Sequence, residues 1–145
     1  MLKLLILLTS LAYGASKGLP LASLPPAVQK TVQENLKGAE IKNIDKEKED
    51  GVQQYEVESV LNGQTRDFNV DTKGNLLLVE EGIAIDAIPA AAKAGILRKI
   101  ADGKLGTVET FLKTGQPMLY EASYTDKRGK KHEVLVKVDG TETKE

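Results

Sequence analysis

Two alternating runs between Tyr55 and Gly74 set the pattern of the chain. Tyr55, Val57 and Ser59 alternate with Gln54, Glu56 and Glu58. After Asn62-Gly63, Phe68 and Val70 alternate with Asp67 and Asn69. A period of two, broken by Asn-Gly and closed by Asp71-x-x-Gly74, predicts a β-hairpin with one apolar and one polar face. Upstream the period changes. Val28, Val32 and Leu36 recur every fourth residue between polar side chains, which predicts a helix opened by Pro25-Pro26, capped by Ser23 and stopped at Gly38. The charged segment Glu40 to Asp50, flanked by Gly38 and Gly51, predicts a strand at a sheet edge, where charge discourages pairing with another chain. Leu76 to Glu80 completes a fourth strand.

The same order then recurs. Leu24-Pro25-x-Ala27, Val32 and Leu36 are echoed at one constant displacement by Ile88-Pro89-x-Ala91, Ile96 and Ile100. Ile41 and Ile44 correspond in the same way to Leu105 and Val108. Gly63, Phe68, Val70 and Gly74 correspond, at a slightly larger displacement, to Gly129, Val134, Val136 and Gly140. The expected fold class is therefore α+β: two tandem repeats, each one helix packed on an antiparallel sheet of about four strands. Residues 17–82 form the first and residues 83–145 the second, joined by a linker from Glu80 to Ala87. Only Thr141 to Glu145 remain for a last strand, so that edge is expected to be short or missing.

Residues 1–16 read as a signal peptide. Lys3 is a minimal basic region, Leu4 to Leu11 an apolar core too short to span a bilayer, and Ala12-Tyr13-Gly14 a small-x-small cleavage site. This predicts a periplasmic or secreted protein with no stable membrane insertion after signal removal. There is no cysteine, so disulfides are excluded. With 20 basic against 21 acidic residues, no basic surplus speaks for nucleic acid or an anionic membrane as partner.

The motifs Leu-Pro-x-Ala-Val, Tyr-Glu-Val-Glu and Phe-Asn-Val-Asp-x-x-Gly, with their near copy after Ile88-Pro89, resemble the PepSY-like group, which is similar in fold to the β-lactamase inhibitor proteins. The resemblance covers nearly all of the chain after the signal. It implies an exported, non-catalytic module, and in the inhibitors the polar face of the sheet grips a target enzyme.

Catalytic and metal candidates are few, and none is assigned. His132 is the only histidine, so a histidine-based metal site or acyl-transfer triad would depend on it alone. Asp71-Thr72-Lys73-Gly74 and Asp139-Gly140 read as ordinary turns, not calcium loops. No cofactor is expected. The polar sheet face has the best claim to function, with Glu56, Glu58, Asp67, Asn69, Glu121, Glu133 and Lys137 upon it and Phe111 exposed there as an anchor. The expected function is binding of another exported protein through that face, inhibitory toward a protease or other enzyme. The alternative is a periplasmic sensor or carrier of a small ligand or cation. One continuous eight-stranded surface would support the first; two separated sheets would weaken it.

Overall fold

The computed structural model describes residues 18–144. The segment read as a signal peptide lies outside the described residues. In chain order the elements are a 3-10 turn at Leu21–Ser23, α1 (Pro26–Leu36), β1 (Glu40–Glu49), β2 (Val52–Leu61), β3 (Gln64–Asp71) and β4 (Leu76–Gly82). A second 3-10 turn at Ile85–Ala87 follows, then α2 (Ala90–Ile100), β5 (Lys104–Lys113), β6 (Leu119–Thr125), β7 (Lys131–Val136) and β8 (Glu142–Thr143).

The expectation of two tandem helix-on-sheet repeats is overturned. All eight strands form a single antiparallel sheet, ordered β1 to β8. The seam is β4 against β5, with Leu78 opposite Lys113, Glu80 opposite Phe111 and Gly82 opposite Glu109. Two separate sheets would have left the facing edges of β4 and β5 with unpaired backbone groups, and pairing them removes both edges at once. The expected linker supplies part of this seam, because β4 runs on to Gly82 and Ile83 N–H still donates to Val108 C=O at 2.9 Å.

Local chemistry explains the elements. Asn62 and Gly63 take φ of 52° and 81°, the doubly left-handed turn that matches strand twist in a two-residue hairpin. Lys37 is left-handed at the end of α1 and Gly38 follows at φ 92°. Ser23 does not cap α1: Pro25 holds the N-cap position with no side-chain bond, and the Ser23 hydroxyl donates to Pro20 C=O at 2.7 Å. β1 pairs only with β2, as its charge predicts for an edge, and β8 is two residues long.

Both helices lie on the same face of the sheet. Val28 and Val32 of α1 join Ile44, Tyr55, Val57, Phe68 and Val70 in one buried cluster. Ala92, Ile96 and Ile100 of α2 join Val108, Ala122, Val134 and Val136 in a second. Cross-strand pairing carries one inward row from Val57 through Phe68 and Val79 to Leu112, so the two clusters share a floor. Successive strand residues alternate between faces, which sends the odd positions of β3, β5, β6 and β7 and the even positions of β2 and β4 to the opposite, helix-free face.

Candidate functional site

Seven of the eight residues singled out in the sequence lie on the helix-free face. Glu56 and Glu58 come from β2, Asp67 and Asn69 from β3, Phe111 from β5, Glu121 from β6 and Glu133 from β7. Register joins several directly: Glu56 faces Asn69, and Ser123 faces Glu133. Lys137 falls just past β7, in a turn where its N–H donates to Thr141 C=O at 2.9 Å. Phe111 has the expected direction but not the expected exposure, being only 2% accessible with Lys113 Nζ 5.6 Å from its ring centroid.

Residues not foreseen complete the face. Glu80 of β4 sits between Asp67 and Phe111, and Glu109 of β5 sits between Gly82 and Glu121. The carboxylate oxygens of Glu80, Glu109 and Glu121 lie within 4.8 Å of one another. Glu109 was within reach of strand parity, since it adjoins inward Val108. Glu80 was not, because Leu76 to Val79 are apolar without a break and conceal the alternation.

Gly82 has a specific part in this arrangement. A Cβ there would stand 2.8 Å from Thr65 Oγ1. Without one, the Thr65 hydroxyl reaches across β4 and donates to Glu109 Oε1 at 2.6 Å. Toward β1, Gln54 donates through Nε2 to Glu47 Oε1 and Glu49 Oε2, each at 2.7 Å, and Asn69 Nδ2 donates to Glu47 at 3.2 Å.

Crowded acids on a partly desolvated surface hold protons that isolated ones would lose. Burial, then the charges of Glu121, Glu109, Asp67 and Glu56, push the Glu80 carboxyl up to about 9. Burial and then Glu47, Glu58, Asp67 and Asp45 raise Glu56 to about 7. Asp67 is raised by burial to about 6, although the Ser59 N–H donating to it at 2.8 Å opposes the shift. The three groups therefore describe one electrostatic unit extending from β1 to β6.

His132 stands apart from it. Its Nε2 lies 2.9 Å from Asp126 Oδ2, and its ring stacks on Tyr124 with centroids 5.1 Å apart. The Asp71 turn is built from backbone contacts: Oδ1 accepts from Lys73 N–H at 2.8 Å and from Asn75 N–H at 2.9 Å.

No family model matches the sequence, and no curated protein matches it. Solved structures do match. The fold resembles that of a BLIP-like protein. That protein, from Bacteroides fragilis, superposes with a TM-score of 0.63 at 19% identity over 87% of this chain and 85% of its own. A DUF2874 family protein from Bacteroides ovatus gives 0.66 at 14% identity, over 84% and 86%. A protein predicted to be periplasmic, from Bacteroides eggerthii, gives 0.68 at 15% identity, over 83% and 86%. Likeness at such identity establishes a shared fold, since function resides in sites carried on folds. Among the described residues, no helix is long and apolar enough to cross a membrane.

Proposed function

We propose that the protein is an exported, non-catalytic, PepSY-like module that grips another exported protein through the helix-free face of its sheet, and that this grip inhibits an enzyme target. The observation that carries the reading is the continuity of that face. Pairing of β4 with β5 makes one polar surface of what would otherwise be two, and neither helix packs on it. Antiparallel sheets commonly leave one face to solvent, so a polar outer face alone is unremarkable. This one instead concentrates carboxylates from adjacent strands beside apolar Phe111 and Leu119. The likeness to a BLIP-like fold and to a protein predicted to be periplasmic supports the reading.

The test is capture from the exported protein fraction with three baits: the native chain, Glu58→Arg on the helix-free face, and Glu34→Arg on exposed α1 surface. Retention by the native chain and Glu34→Arg, with loss by Glu58→Arg, supports the reading. Equal retention by all three, or by none, opposes it.

A second reading, a cation sensor or carrier, draws on the proximity of Glu80, Glu109 and Glu121. Calcium, magnesium or manganese that leaves the melting temperature unchanged would remove it.

A further inference from the structure

We infer that the partner is a basic polypeptide, docking lysine or arginine side chains across the acidic stripe formed by Glu56, Asp67, Glu80, Glu109 and Glu121. This rests on the binding-face reading and specifies the chemistry that face accepts.

Placement comes first. Asp67 of β3 is directly opposite Glu80 of β4, and Glu109 of β5 is directly opposite Glu121 of β6. Like charges opposite one another in a sheet destabilise it, so two such pairs on neighbouring strands are a cost that folding alone does not explain. The stripe from β3 to β6 crosses four adjacent strands, roughly 14 Å at about 4.8 Å per strand. One metal ion would neutralise the Glu80, Glu109 and Glu121 end and leave Asp67 and Glu56 uncompensated. A chain presenting basic side chains at successive intervals matches the whole length.

The side chains bordering the stripe suit the same occupant. Phe111 and Leu119 are cross-strand neighbours beside the acids, and Lys113 already places its ammonium over the Phe111 ring. Lysine and arginine bury aliphatic stems along apolar surface while the charged end stays polar, and aromatic faces attract cations. Nucleic acid is repelled by the same charges.

The raised acidity constants of Glu80, Glu56 and Asp67 agree with this placement, because they measure how poorly the unbound stripe tolerates its own charge. A bound cation stabilises their ionised forms.

The experiment is fluorescence anisotropy with three labelled twelve-residue peptides, alternating threonine with lysine, glutamine or glutamate. Titration with the full chain is expected to show binding of the lysine peptide only. Glu80→Gln with Glu109→Gln should weaken it by roughly tenfold, as should raising salt from about 0.05 to about 0.5 M. Glu34→Gln on α1 should change nothing. Equal binding of the lysine and glutamate peptides would overturn the inference. So would a lysine peptide indifferent to the double substitution, or competition by millimolar calcium beyond that of sodium at matched ionic strength. If the lysine peptide fails while a captured exported protein is still lost on Glu58→Arg, the partner chemistry is wrong and the binding face stands. If both fail, the face itself is wrong.

Discussion

Arg66 Nε donates to Asn35 C=O at 2.9 Å, while the same guanidinium forms an ion pair with Glu81. One side chain of β3 thereby ties the last turn of α1 to β4, at 3% exposure. A cation suits that place, since the carbonyl end of a helix carries partial negative charge. Glu81 is about half exposed, so water screens its share of the pair. Arg66→Met is expected to cost about 2–4 kcal/mol, because it orphans a buried carbonyl and removes the pair at once. Glu81→Gln should cost about 1 kcal/mol or less. Urea unfolding of the two variants checks both; equal losses would place the energy in the ion pair and not in the bond to α1.

Gly95 lies inside α2, where alanine would ordinarily gain about 1 kcal/mol in helix propensity. A Cβ there would collide with Gly140 C=O, the turn between β7 and β8, and Gly140 itself sits at φ 82° against Ala91. Collision with backbone outweighs propensity, since neither partner can move without shifting α2 from its sheet. Gly95→Ala is expected to destabilise by about 3 kcal/mol or more, at the upper end for overpacking. A thermal melt checks it, and a variant as stable as the native chain would contradict the packing described.

These two residues show what the sequence could disclose. The hairpin at Asn62-Gly63, the stripe Val28-Val32-Leu36 and the charged edge β1 were legible because each is a local pattern with a local cause. The joining of β4 to β5 was not. It depends on two edges separated by α2, and near duplication of the sequence argued for separate closure of each half. The candidate face was legible by parity for Glu56, Glu58, Asp67 and Asn69. Parity failed at Glu80, hidden behind Leu76-Leu77-Leu78-Val79. Arg66 read as a polar residue at the margin of the packed face, because nothing in its neighbours signals an acceptor on α1.

Protonation of the acidic stripe links stability to pH. Glu80 has a folded value of about 9 against an ordinary 4.5, so between those values the folded chain holds the proton and the unfolded chain has lost it. Stability therefore falls as pH rises through this window. Melting at pH 5, 7 and 9 should show a progressive decline, by several degrees in total. Glu80→Gln should flatten it and raise the melting temperature at pH 9, an effect of about 1–2 kcal/mol after allowance for screening. Identical profiles for the variant and the native chain would contradict the assignment to Glu80.

Binding of a basic chain should release protons. A cation over the stripe favours ionised Glu80, and at pH 7.5 the free protein holds that proton. Calorimetric titration of the lysine peptide in phosphate and in Tris, whose ionisation heats differ, should report release approaching one proton per site. Heats independent of buffer would contradict this coupling.

The central claim is that the helix-free face is the binding surface. Amide chemical shifts, followed while the partner captured from the exported fraction is titrated in, test it most directly. The account predicts shifts concentrated at Glu56, Asp67, Glu80, Glu109 and Glu121, with Gln33 and Leu97 on the helices unmoved. Shifts confined to α1 and α2, with the stripe silent, would contradict it.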